Sequence, residues 1–436
     1  MIDAHRRSPG LGQARRKAAW AQGALLVLAL APPSLPLCQD AAPSPPVPES
    51  LQEVERRALA ASPLLKAADA RIEQQQGLLR QAGLYPNPEL SLDVTRFAGG
   101  FAPRETSLAI RQPFPWHGKR GLDRKAAMER LEAARSDRER DRLDVLLQVR
   151  EAFARVYFAA KAVSLKEEDL EAARSIEKAV ELRVSAGDAA PMESLRASVE
   201  RMRADSQMVL ARGELAAEAA GLNLLQGLPA DAPVDLADPG AEPGPAGSLP
   251  ELQEIALRGQ PEVQSREHAA RAAAFEADRA RLERRPDFAV GPTLGDDQGR
   301  NYLGAGVAVR LPIWNRNQGN IEAAEAGRRT GEAEAEAARI AARRLVADAY
   351  NRYHVAQAQH QLYEQGLLAR AAELVETARK SYEGGESGIL DLLDARRSAL
   401  AVREEYHRSG LDAALAAARL RRAAGLDRAE GAPASP

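Results

Sequence analysis

Apolar residues change their spacing twice along the first half of the chain. In "LQEVERRALAASPLLKAADAR", starting at Leu51, they fall three and four apart, the spacing of a helix with one buried face. Leu90, Leu92 and Val94 then alternate with Ser91, Asp93 and Thr95, and Leu108 and Ile110 alternate with Ser107 and Arg111. That period of two predicts strands over residues 89–97 and 106–114. From Leu122 the helical spacing returns, and neither Gly nor Pro interrupts it before Gly187. At ~1.5 Å per residue, a continuous helix there would run about 100 Å. The switch then recurs. Val307, Val309 and Leu311 alternate, Pro312 ends the alternation, and helix resumes from Ile321. Strands are expected over residues 287–294 and 302–313.

Two seams run down the long helices. Val145, Val149, Ala152, Val156, Ala159 and Val163 succeed one another at steps of four and three, as do Ala342, Val346, Ala349, Tyr353, Ala356, His360, Tyr363 and Leu367. This is coiled-coil spacing, with small residues that permit close approach. Read alone, it also fits an ordinary two-helix coiled coil, a reading the strands argue against.

The whole pattern is duplicated. Pro63 finds its counterpart in Pro261, 198 positions on, and "PELSLDV" from Pro88 matches "PDFAVG" from Pro286 at the same distance. "AGDAAPMESLRA" from Ala186 matches "GGESGILDLLDA" from Gly384. The expected organisation is a first repeat over 51–227, a Pro/Gly-rich linker over 228–250 and a second repeat over 251–426. Irregular segments flank them at 43–50 and 427–436. Each repeat reads helix, two strands, long helix, turn, helix.

Composition narrows the setting. Aromatics are 4% of the 436 residues and the net charge is −2, so nothing recommends a nucleic-acid partner. Basic residues ahead of "AAWAQGALLVLALA" read as a signal peptide over 1–42, which implies export. Cys38, the one cysteine, is a candidate for N-terminal lipidation, although the bulky Leu37 precedes it. No later run is long enough for a membrane-spanning helix, so any crossing falls to the strands. Their apolar and polar faces suit lipid outside and water inside, but suit a soluble sandwich as well. Counting separates the two. Four strands cannot close a barrel, since about eight is the practical minimum. Open edges cannot lie in lipid. Three chains would supply twelve strands, with long helices continuing the wall.

On these residues the chain resembles the TolC-type outer-membrane factor family, across about Leu51 to Leu426. "RQPFPWHGKRG" (111–121) and "LPIWNRNQGNIEAAEA" (311–326) resemble its CzcC-like, heavy-metal branch. The resemblance implies a mainly α fold with a small transmembrane β part: a twelve-stranded barrel and a periplasmic α-barrel shared by a homotrimer. It implies a passive duct with no cofactor, working with a periplasmic adaptor (membrane fusion protein) and an inner-membrane RND pump. By the same resemblance, Tyr382, Asp391 and Asp394 narrow the periplasmic aperture, with Glu193 the first-repeat counterpart of Asp391. Arg196 stands opposite Asp394, and Ser387 where the family pattern can hold a basic residue. The turns Ala186-Gly187-Asp188 and Gly384-Gly385-Glu386 would receive the adaptor.

Other residues carry less. His360 falls in the apolar seam and reads as packed; His354 lies on a different helix face. His117 sits at a strand–helix junction, and His268 and His407 have no ligand neighbours in the sequence. Trp116 and Trp314 fall where strands end, at the level of an interface belt. No phosphate loop, nucleophile elbow or zinc spacing occurs, so a non-enzyme is expected. Cobalt, zinc or cadmium is the expected cargo. The same duct serving multidrug efflux or type I secretion, and a soluble periplasmic scaffold or adaptor, are the competing readings.

Overall fold

The computed structural model describes residues 48–96, 104–238 and 246–427. The expected signal peptide with Cys38, the strand end at Phe97 and the tail from 428 lie outside these residues.

Each repeat opens with two helices where one was expected. In the first, α1 (Leu51–Ala61) starts on a capping box: Ser50 Oγ accepts from the Glu53 amide and Glu53 returns to the Ser50 amide. Pro63 then starts α2 (Pro63–Ala82), because a proline has no N–H to continue the preceding ladder but fits a first helical position. In the second repeat Ser248 and Glu251 cap α5 (Leu249–Gly259), and Pro261 starts α6 (Pro261–Leu282).

Strands β1 (Glu89–Arg96), β2 (Arg104–Phe114), β3 (Phe288–Asp297) and β4 (Arg300–Val309) form one antiparallel sheet in that order. The second pair differs from expectation at both ends. Gln298 and Gly299 take positive φ values of 52° and 84°, the backbone of a tight two-residue hairpin turn. Pairing therefore extends to Asp297 and Arg300 rather than stopping at an open loop. At the other end β4 stops at Val309: the Arg310 amide makes one more in-register bond, to the Asp287 carbonyl (3.0 Å), and beyond it Pro312 has no amide to offer. The β2–β3 ladder, which joins the repeats, is interrupted between Ala109↔Thr293 and Gln112↔Val290. There the strands pass so closely that a Cβ on Gly291 would lie 1.7 Å from the Ile110 carbonyl oxygen.

Leu92, Leu108, Leu294 and Leu303 form one register row across all four strands, and each is exposed in the single chain. The neighbouring row on the opposite face is Asp93, Ser107, Gly295 and Tyr302. The outer edges of β1 and β4 have no partner strand among the described residues.

Below the sheet, α3 (Lys119–Ala186) runs unbroken for 68 residues, about 100 Å at ~1.5 Å per residue. It turns back as α4 (Pro191–Leu225). The second hairpin pairs α7 (Gln318–Leu362) and α8 (Leu368–Glu383) with α9 (Ile389–Ala424). Between α7 and α8, residues Tyr363–Leu367 form a π-turn around Gly366, whose φ is 152°. A π-turn inserts an extra residue and so rotates the next helical segment by roughly 100°. Tyr353 is buried but Leu367 is 44% exposed, so the predicted seam ends at the π-turn.

The two cores are counterparts. Val54, Ala58, Val149, Phe153 and Leu222 cluster in the first repeat, and Leu252, Ala256, Val346 and Leu420 in the second. Fully burying each Val or Leu stabilises by roughly 1.5–3 kcal/mol. A largely buried ionic centre ties the segment just after α9 to them: Arg150 bonds Glu55 (2.6 Å) and Asp427 (2.5 Å).

Candidate functional site

The candidate site is the far end of the two hairpins. Both turns end on a glycine with positive φ, Gly187 at 86° and Gly385 at 75°, which closes the last helical turn without Cβ strain. The Asp188 amide donates to Arg183 O (2.8 Å) and the Glu386 amide to Ser381 O (2.9 Å). Ala186, Gly187, Asp188, Gly384, Gly385 and Glu386 are all exposed, a surface free to be met by another molecule.

Tyr382 is placed differently from its acidic neighbours. It is buried in an apolar cluster with Val180 and Ala197 of the first hairpin and Ile389, Leu392 and Leu393 of the second. Its hydroxyl donates to Glu193 (3.3 Å), and the Arg183 guanidinium lies 4.7 Å over its ring while bonding its carbonyl (3.4 Å). Burial pushes the phenol above its ordinary value; Arg183 acts against this and Glu193 adds to it. The hydroxyl therefore keeps its proton and remains a donor.

Asp391 and Asp394 do not join this contact within one chain. Asp391 occupies the first turn of α9 and accepts from the Gly388 amide (3.3 Å), where the helix dipole favours a carboxylate. Both aspartates are exposed and one helical turn apart. The structure thus joins Tyr382 to Glu193, while Asp391 and Asp394 form a separate acidic face. Ser387 Oγ lies without a hydrogen-bond partner among the described residues.

Above the tip, α9 is tied to the first hairpin by ion pairs that sequence reading missed. Arg396 meets Asp169 (2.6 Å), Arg403 meets Glu168 (2.6 Å), Arg397 meets Glu200, and Lys166 meets Glu404. The Arg397 hydrogen bond holds the Glu200 carboxyl below its ordinary value despite burial. These pairs join residues from different repeats, so no local spacing advertises them. At the strand–helix junction Lys119, only 1% exposed, bonds Asp287 (2.8 Å), the Arg285 carbonyl (3.2 Å) and Glu283 (3.4 Å).

Two of the described histidines have polar partners. His360 bonds Ser409 (2.9 Å) and stacks on Tyr406. His268 does have an acidic neighbour: folding brings Glu129 to 2.8 Å, beside Arg271. Among the described residues no three His, Cys, Asp or Glu side chains group as a metal site.

The profile of the "Outer membrane efflux protein" family matches residues 54–228 and 252–426. The cobalt-zinc-cadmium resistance protein CzcC of Cupriavidus metallidurans is 29% identical over 358 residues, 78% of this chain and 82% of that protein. Among solved structures, the outer membrane protein VceC of Vibrio cholerae superposes with a TM-score of 0.72 at 20% identity, covering 86% of this chain and 96% of that one. The open state of the MtrE outer membrane channel of Neisseria gonorrhoeae gives 0.72 at 22% identity, covering 87% and 90%. With its duplicated hairpins, its sheet with one apolar face and a family match to both repeats, the chain belongs to the outer membrane efflux protein family, as an outer-membrane channel rather than an enzyme.

Proposed function

We propose that this channel is the outer-membrane exit duct of a tripartite system that exports heavy-metal cations such as cobalt, zinc or cadmium. The observation that carries the cargo is the 29% identity to the cobalt-zinc-cadmium resistance protein across most of both chains. The duct is a homotrimer, since β1 and β4 offer unpaired edges that lipid does not tolerate and three chains supply twelve strands. A periplasmic adaptor meets the exposed turns at Gly187 and Gly385, and an inner-membrane pump of the RND type supplies the energy.

In the trimer, Asp391 and Asp394 stack as two carboxylate rings at the inner aperture. Such rings favour cations and repel anions, and their mutual repulsion is relieved by protons or passing cations. Tyr382, Glu193 and Arg183 hold the second hairpin against the first in the resting state. Resistance assays on a deletion strain test the cargo. Sensitivity to cobalt, zinc or cadmium that the intact gene restores supports it; sensitivity to organic toxins alone refutes it.

A further inference from the structure

Tyr302 and Gly295 face each other across β3 and β4, on the face opposite the row of exposed leucines. A Cβ built on Gly295 would lie 2.2 Å from Tyr302 Cζ and 2.5 Å from its Cε1. The phenol ring therefore occupies the space that any side chain at position 295 would need. It lies flat across β3 rather than standing away from it. Its hydroxyl continues in the same direction and donates to Glu105 Oε1 on β2, 3.2 Å away. The ring thus spans from β4 over β3 to β2. Glu105 is two residues from Ser107, Gly295's partner on β2, and so shares its face.

With the leucine row in lipid, this face lines the water-filled interior. It is built low: Gly291, Gly295, Gly304 and Gly306 share it with Ala289, Ala308 and Thr293. Tyr302 is the one aromatic side chain on this face of the four strands among the described residues, with Arg300 beside it toward the hairpin. We propose that Tyr302 is a size-determining residue of the outer end of the duct, held against the wall by the absence of a side chain at Gly295 and by the Glu105 carboxylate. Flat, three rings leave the bore wide; raised, they would stand inward at one level and narrow it to bulky cargo.

The inference rests on the barrel reading but not on the inner aperture, because it is tested from the extracellular side. A reporter cysteine replaces Ala308, six positions nearer the periplasm on the same face. Intact cells are treated with maleimides carrying polyethylene glycol of graded mass, and the chain with Cys38 alone supplies the background. Gly295→Val should slow labelling by the larger reagents five- to tenfold and leave the smallest unaffected, and Tyr302→Ala added to it should restore the rate. Tyr302→Ala alone should label as fast as the parent. Glu105→Gln, which keeps the side-chain shape and weakens the tether, should slow the large reagents two- to threefold and decides the matter if Gly295→Val does not assemble. Equal rates in assembled Gly295→Val and Glu105→Gln trimers overturn the proposal, as does faster labelling of Tyr302→Ala alone. Failure of the parent cysteine to label from outside overturns the barrel reading with it.

Discussion

The Tyr382 hydroxyl and the Glu193 carboxylate, 189 residues apart in sequence, meet at 3.3 Å and join the tips of the two hairpins within one chain. The phenylalanine variant removes this bond and keeps the ring packing. The contact is long and partly exposed, so about 1 kcal/mol is at stake, near the middle of the usual net range for a hydrogen bond. If the contact holds the resting state, Tyr382→Phe raises the open-to-closed ratio about fivefold in planar bilayers. Because burial raises the phenol's pKa, the bond is fully present below the ordinary tyrosine value of about 10. It is lost only as pH rises through the folded value, so the effect of the mutation stays constant between about pH 6 and 9.

The ion pairs above the tip should differ in strength with their burial. Arg396 and Asp169 are 14% and 11% exposed, whereas Arg403 and Glu168 are 45% and 60% exposed. Double-mutant cycles on thermal unfolding should give a coupling above about 1.5 kcal/mol for the first and at most about 1 kcal/mol for the second. Equal couplings would mean that burial does not rank these contacts.

Lys119 bridges the repeats where strand gives way to helix. Burial raises the Asp287 carboxyl, but Lys119 and the Trp116 amide outweigh it and hold the acid below its ordinary value. Lys119→Met leaves Asp287 and Glu283 without their buried cation and should destabilise the chain by about 3 kcal/mol. Lys119→Arg, which keeps the charge but not the shape, should lose less. Denaturant titration of the purified variants measures both.

His407 supplies a pH signature. Burial lowers its pKa first, then Arg403 of its own helix and Lys161 of α3; His360 of α7 adds to this and Glu168 of α3 opposes it. The folded chain therefore favours neutral imidazole. Its contribution is fully present above the ordinary value of about 6.5 and is lost as pH falls through the lower folded value. Thermal stability should decline as the buffer is taken below about pH 6.5, and His407→Gln should flatten that decline.

Much of the fold was legible because its signals are periodic. The change from a period of two to one of three and four located the strands and long helices, and the 198-residue recurrence pointed to a similar order of elements in the two halves. The features that escaped notice depended on backbone geometry or on distant partners. Pro63 and Pro261 were visible as repeat markers, yet each also divides a helix. Gly366 sat inside an apparently continuous seam, and only its φ of 152° reveals that the phase is lost there. At the tip, the family resemblance named Tyr382 and Glu193 separately. Arg183 and the Arg396–Asp169 pair went unnoticed, because contacts between helices of different repeats leave no mark in local spacing.

A sheet whose two outer edges are completed by neighbouring chains is the central claim. Native mass spectrometry of the detergent-extracted protein measures this directly. Three copies per particle are predicted at every protein concentration above dissociation. A monomer that remains intact and conducts ions by itself would contradict it.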